Sequence, residues 1–180
     1  CWYPILMVLI CLRLIVKASI SFRAVPKAIH SVYSAFQVFK DKKIPSHKTV
    51  RRWITQVGYY KLFRQKERGD DWAVLMDFSI QAGELKCLVI LGTRLSKLKQ
   101  GQALKFEDLE PILFELHKQT SAQIVRDALR LAACKVGLIR QCCADGGSDI
   151  VAGIRLYQKE NPSFVYVPDI AHKVALLLKH

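Results

Sequence analysis

The sequence is short of acidic residues, and the shortage is confined to one end of the chain. Its 180 residues include 28 Lys or Arg but only 15 Asp or Glu, giving a formal net charge of +13. Residues 1–68 contain 14 Lys/Arg and 2 Asp/Glu, a charge of +12, whereas residues 69–180 contain 14 and 13, a charge of +1. A basic excess of this size favours a polyanionic partner, either nucleic acid or an anionic membrane surface. The alternative is a basic surface that serves only solubility.

The sequence also lacks any CxxC pair among its six cysteines. A zinc site needs about four converging ligands, and no such spacing is present, so a structural zinc site is disfavoured. Unpaired cysteines without a regular framework are typical of a reduced, intracellular protein. Hydrophobic residues make up 51% of the chain, which excludes a disordered or collagen-like protein and predicts a buried core.

No apolar run is long enough to cross a bilayer. The run at residues 1–12 has about half of the roughly 20 residues required, and the cations that follow it stand on the wrong side for a signal peptide. A buried helix is favoured, with a membrane segment as the alternative. Because the chain starts with Cys1 and its last helical pattern is interrupted at His180, we expect a fragment that is incomplete at both ends.

Three helices are predicted in the basic segment, residues 1–68. Apolar spacing predicts helices at about 4–17 and 22–39, and a third that is capped by Ser46 and ends at Gly58. The apolar stripe of the third helix is at helical spacing and consists of Val50, Trp53, Ile54 and Val57.

The opposite face of the third helix carries the residues that would meet DNA, namely His47, Lys48, Arg51, Arg52 and Thr55. A short helix with a buried aromatic stripe, a basic exposed face and a helix before it is typical of helix-turn-helix DNA readers. The alternative is an ordinary amphipathic helix whose polar face is merely solvated.

Strands and helices are predicted in the nearly neutral remainder, residues 69–180. Strands are predicted at 72–79, 85–91, 103–106, 138–144 and 164–168, and helices at 108–117, 122–136, 149–159 and from 169 onward. The first two strands are joined by a turn at 81–84 and form an antiparallel hairpin. The order predicts a mixed α/β sheet with flanking helices.

Two carboxylates stand at the ends of predicted strands. Asp77 lies near the end of the first strand, and Asp145 follows the fourth, before a Gly-Gly pair. If these strands are neighbours, the two carboxylates converge and offer hard oxygen ligands to Mg²⁺, an arrangement suited to phosphodiester displacement. The alternatives are a rim position for Asp77 and a simple turn role for Asp145. Asp169 could likewise only cap the last helix.

Three stretches together resemble bacterial insertion-sequence transposases of the DDE type, which have an RNase H-like catalytic core. The stretches are IPSHKTVRRWITQVGYYKL, WAVLMDFSIQAGELKCLVILG and ADGGSDIVAGIRLYQKENPSFVYVPDIAHKVALLLKH. The resemblance implies that Asp77 and Asp145 are catalytic acids that bind Mg²⁺ or Mn²⁺. Asp169 and His172 are similar to the C/D-x-x-H motif of Mutator-like transposases, in a supporting role. The family's third acid, a Glu, is expected beyond His180, because Glu160 is too close to Asp145.

The expected fold is therefore α/β, with a helical, helix-turn-helix-like module followed by a partial RNase H-like mixed sheet with flanking helices. Residues 1–66 are expected to form the DNA-binding module, 67–71 a linker and 72–180 the catalytic core. The expected function is a cytoplasmic, nucleoid-associated bacterial DNA transposase that acts on double-stranded DNA at transposon ends and targets. Transposases of this type usually work as oligomers, so the resemblance allows a homo-oligomer although no residue fixes the number of subunits; a membrane partner is not expected. The alternative is a non-catalytic DNA-binding regulator or a decayed transposase remnant.

Overall fold

The structure is a computed structural model, and it describes residues 3–36, 43–99, 101 and 104–169, without the side chains of 79–82 and 106. The chain divides into two compact units between Lys61 and Leu62. Each unit has a buried core of its own.

Three helices make up the described part of the first unit. They are α1 (Ile5–Val16), α2 (Ala24–Phe36) and α3 (His47–Phe63), whose last two residues pass the division between the units. Their buried residues form one apolar cluster of Met7, Cys11, Val25, Ile29 and Val50. Trp53 packs edge-on against Tyr3, with ring centroids 5.3 Å apart. The predicted apolar stripe of α3 therefore faces the other helices through Val50 and Trp53.

The helix α3 is longer than predicted, and Gly58 does not end it. The helix continues for five residues past Gly58, to Phe63. A terminating glycine adopts a positive φ, which the structure records at Gly83, Gly101 and Gly137 but not at Gly58. The prediction was wrong because a glycine that can end a helix does not have to do so.

A five-stranded mixed sheet organises the second unit. Its strands are β1 (Gly69–Ala82), β2 (Leu85–Arg94), β3 (Glu110–His117), β4 (Gly137–Ala144) and β5 (Val165–Pro168). The strand order is β3-β2-β1-β4-β5, in which β2 is antiparallel to both of its neighbours. The pairs β1–β4 and β4–β5 are parallel, and α4 (Ala122–Val136) and α5 (Ser148–Glu160) precede β4 and β5 respectively. The predicted mixed α/β class is confirmed.

One face of the sheet is buried against α4 and α5. Alternate residues of β1, namely Trp72, Val74 and Met76, belong to the same buried cluster as Leu129 and Ile154 of the two helices. Because successive side chains of a strand point to opposite faces, the intervening residues of β1 lie on the other side of the sheet.

The predicted ends of α4 are confirmed by their hydrogen bonds and backbone angles. The Ser121 hydroxyl accepts the backbone N–H of Ile124 at 3.3 Å. Gly137, where the helix gives way to β4, has a φ of 100°, a region that side-chain-bearing residues rarely adopt. At α5 the prediction was off by one position, because Gly147 is the capping residue and Ser148 is the first helical residue.

The predicted helix at 108–117 is wrong, since Glu110–His117 forms strand β3. Its residues pair with β2 from Lys86↔His117 to Gly92↔Glu110, and this pairing overrides the helix-like spacing of its apolar residues. Of the strand predicted at 103–106, residue 103 lies outside the described residues. Phe106–Asp108 forms a short 3₁₀ turn instead.

Residues 67–71, expected to be a linker, lie in the second unit and are held by ion pairs. Glu67 pairs with Arg94 at 2.7 Å and also with Lys97, while Asp71 pairs with Arg94. The last three of these residues begin β1. Hydrogen bonds from Ser96, together with the Arg94 guanidinium, lower the pKa of Asp71 to about 2. The acids of this segment therefore form ion pairs within the second unit, and the polar composition does not mark a flexible linker.

Candidate functional site

Asp77 and Asp145, the two predicted catalytic acids, each come one residue after a pair of residues that face each other on neighbouring parallel strands. Met76 of β1 is the register partner of Ala144 of β4, and Asp77 and Asp145 are the next residues of their chains. Neighbouring strands lie about 4.8 Å apart, and parallel strands end at the same edge of the sheet. The fold therefore brings Asp77 and Asp145 to one edge from positions 68 residues apart.

The side of the sheet on which Asp77 lies follows from the alternation along β1. Met76 is buried on the face that packs against α4 and α5, and the following residue, Asp77, is exposed. Asp77 also faces Val89 of β2 in the register, just before an irregularity in the β1–β2 pairing. This carboxylate thus belongs to the face opposite the two helices.

Asp145 is held by two hydrogen bonds, one to its side chain and one to its backbone. Its Oδ1 atom accepts the backbone N–H of Gly147 at 3.1 Å, which closes a side-chain turn before α5. Its backbone carbonyl accepts the hydroxyl of Tyr166 at 3.0 Å, and the same hydroxyl lies 3.4 Å from the carbonyl of Ala144. The turn role considered for Asp145 is therefore real, and it leaves the Oδ2 atom without a hydrogen bond in the described part of the chain.

Sequence reasoning missed Tyr166, a half-buried residue of β5. Burial raises the pKa of the Tyr166 phenol, with the Asp145 carboxylate as a smaller contribution, so the hydroxyl stays protonated and can donate. A tyrosine in a strand carries no signal in the sequence that would link it to an acid 21 residues earlier.

Asp169 reaches the same edge from the third parallel strand. Pro168 of β5 is also a register partner of Ala144, and the backbone N–H of Asp169 donates to the Ala144 carbonyl at 2.9 Å. Burial raises the pKa of the Cys143 thiol, and the Asp169 carboxylate adds to that effect. The predicted supporting residue His172 lies outside the described residues.

The acids at this edge provide only some of the ligands that a divalent ion needs. Within the described ranges, no group of three or more His, Cys, Asp or Glu side chains is arranged to hold a metal ion. Two carboxylates are nevertheless a common protein contribution to Mg²⁺, which usually keeps several waters and takes further oxygens from substrate phosphates. Asp77 and Asp145 could therefore supply two carboxylates to such an ion, with the remaining ligands coming from water or from a bound molecule.

The basic face of α3 is exposed as predicted. All five predicted DNA-binding residues are solvent-accessible, namely His47, Lys48, Arg51, Arg52 and Thr55. The helix begins where predicted, since the Ser46 hydroxyl accepts the N–H of Thr49 at 3.2 Å. The Thr55 hydroxyl donates to the Arg51 carbonyl at 3.0 Å, so toward a ligand it can act mainly as an acceptor.

Three cations on the exposed face of α3 form no ion pair with the described residues. In the part of the chain that the structure describes, Lys48, Arg51 and Arg52 take part in no ion pair. By contrast, Arg130 of α4 pairs with Glu160 through two hydrogen bonds of 2.9 and 2.7 Å. Unpaired cations on one helix face produce a positive field that favours an anionic ligand.

No family model matches the sequence, and no curated protein is significantly similar to it. No helix among the described residues is both long and apolar enough to cross a membrane.

Proposed function

We propose that the chain is part of a DDE-type DNA transposase, which binds transposon ends through its basic module and cleaves and joins DNA through an RNase H-like core. The observation that carries the proposal is the alignment of Asp77 and Asp145, each one residue past the paired Met76 and Ala144. The alternation of side chains along β1 and its parallel pairing with β4, rather than the residue types alone, support a metal site shared by the two acids.

In this proposal, carboxylate oxygens of Asp77 and Asp145 hold Mg²⁺ or Mn²⁺, and Asp169 supports them from β5. When bound, such ions activate a water or a 3′ hydroxyl and stabilise the leaving oxygen of a phosphodiester. Tyr166 and Gly147 keep the backbone and one oxygen of Asp145 in place through their hydrogen bonds. This leaves Oδ2 of Asp145 as the oxygen that would face the ion.

The DNA-binding half of the proposal rests on charge. The first 68 residues carry +12, and α3 displays Lys48, Arg51 and Arg52 without acidic partners in the described part of the chain. Such a surface gains affinity for duplex DNA by releasing the counterions that surround its phosphates. Base edges in the major groove are within reach of the N-terminal part of a helix that is docked in this way.

The test of the catalytic half compares Asp77→Asn and Asp145→Asn with Asp127→Asn, an exposed acid of α4 that pairs with Arg126. We expect both edge variants to lose Mn²⁺ binding, measured on the 180-residue chain by electron paramagnetic resonance. In the parent protein, the transposase of which we propose that the chain is part, we expect them to abolish Mg²⁺-dependent nicking of supercoiled plasmid. Asp127→Asn should behave as wild type in both assays.

DNA binding separates loss of catalysis from loss of folding. Because α3 lies far from these acids in the sequence, both edge variants should bind duplex DNA as wild type does. Normal nicking by Asp77→Asn and Asp145→Asn would refute the catalytic assignment. DNA binding by a wild-type parent that neither binds Mn²⁺ nor nicks DNA would instead favour the non-catalytic regulator.

A further inference from the structure

Gly58 stands in the interior of α3, and the described residues give no structural reason for a glycine there. Glycine is among the least favourable residues in a helix interior, because it gives up the most backbone freedom on folding. The fold requires other glycines: Gly137 has a positive φ, and a Cβ on Gly153 would collide with Val125 and the backbone of Ala122. At Gly58 the backbone is helical, and an added Cβ would meet no atom of the described residues within 4 Å.

Gly58 lies on the basic side of α3. It follows Arg51 and Thr55 at the spacing i, i+4, i+7, which places the three in one row along the helix. A second row holds Lys48, Arg52 and Tyr59, and Tyr59 is 65% exposed. The missing side chain therefore leaves an indentation between cations on one side and an exposed phenol on the other.

We propose that Gly58 is a contact point where the sugar-phosphate backbone of duplex DNA approaches the surface of α3 more closely than any side chain would allow. Glycine has this use wherever a ligand must come close to a protein backbone. The positive charge of this surface is the reason for proposing DNA as the ligand. Residues 42–66 contain no Asp or Glu, and the face around Gly58 carries Lys48, Arg51 and Arg52. The inference rests on the DNA-binding half of the proposed function.

The proposal predicts opposite effects on stability and on binding. Gly58→Ala should raise the Tm of the chain by roughly 2–5 °C, since alanine is the best helix former and the site has room for its methyl group. The same methyl group should weaken binding by about fivefold or more, and the longer Gly58→Gln should weaken it further. A glycine with a purely structural role would not change the two quantities in opposite directions.

The measurements are the Tm by circular dichroism and the affinity for a fluorescein-labelled 25-base-pair duplex by anisotropy. Tyr60→Ala is the matched control, because it also exchanges a poor helix former for alanine at an exposed position of α3. Tyr60 lies about 200° around the helix from Gly58, so its removal should leave DNA affinity unchanged. Arg52→Ala reports whether the basic face binds DNA at all.

The outcomes separate this inference from the proposed function. Weakened binding by Arg52→Ala, together with unchanged binding by Gly58→Ala and Gly58→Gln, overturns the contact at Gly58 and keeps DNA binding. A fall in Tm for Gly58→Ala also overturns it, because the fold would then need the glycine. No effect of Arg52→Ala, or no binding by the wild type, refutes DNA binding by α3 itself.

Discussion

Neutralising one cation of α3 should reduce both the affinity for DNA and the dependence of that affinity on salt. Lys48, Arg51 and Arg52 are exposed and, in the part of the chain that the structure describes, make no ion pair. Binding to phosphates would therefore not require these cations to break an ion pair with the described residues. The variant Arg52→Ala tests whether these charges are used.

The magnitude follows from counting the contacts. If each of the three cations neutralises one phosphate, the logarithm of the binding constant falls against the logarithm of salt concentration with a slope of about −2.7. Raising salt from about 50 to about 200 mM would then weaken binding by about 40-fold. Arg52→Ala leaves two contacts, which gives a slope of about −1.8 and a loss of about 12-fold over the same range.

Fluorescence anisotropy with one labelled duplex, titrated at four or five salt concentrations and constant pH, gives both slopes. Arg130→Ala is the control, because Arg130 is an exposed arginine of the other unit whose charge is already matched by Glu160. Its slope should equal that of the wild type. A wild-type slope near zero, or an unchanged slope in Arg52→Ala, would show that the unpaired charges of α3 do not meet phosphates.

Three further predictions concern the second unit. Because the pKa of Asp71 is lowered from its ordinary 3.8 to about 2, its ionised form stabilises the fold above about pH 4, and this contribution is lost as pH falls toward 2. Asp71→Asn should therefore lower the urea midpoint at pH 7 and flatten its fall between pH 4 and 2. Ser121→Ala removes the cap of α4 and should cost about 1 kcal/mol of unfolding free energy, measured by urea denaturation. A thiol reagent should modify exposed Cys134 rapidly and reach Cys142 only on unfolding, since burial raises the pKa of the Cys142 thiol, as peptide mass spectrometry would show.

Each of the three has its own control. Asp70→Asn changes the exposed neighbour of Asp71 and should leave the pH dependence of the urea midpoint unchanged. Restoring the cap with Ser121→Asp should recover the stability lost in Ser121→Ala. Equal modification rates for Cys134 and Cys142 in the native protein would contradict the burial of β4 against α5.

Local signals in the sequence predicted most of the elements. The Ser121 cap and the Gly137 stop bound α4 as expected, because both act through backbone groups within a few residues. Strand β3 was mistaken for a helix because its strand character comes from pairing with β2, a contact about 25 residues away in the chain. Gly58 was mistaken for a helix end because a glycine permits termination without imposing it.

The sequence by itself determined the charge division, most of the helices and strands other than β3, and the identity of the acids at the strand ends, since composition and local periodicity act over short stretches of chain. From the sequence alone, Asp77 and Asp145 were expected to lie close together only if their strands were neighbours in the sheet. The tertiary structure decided that β1 and β4 are parallel neighbours in a register that aligns Met76 with Ala144. Strand order and register depend on how long connections cross the sheet and on which face packs against α4 and α5, and no short segment contains that information.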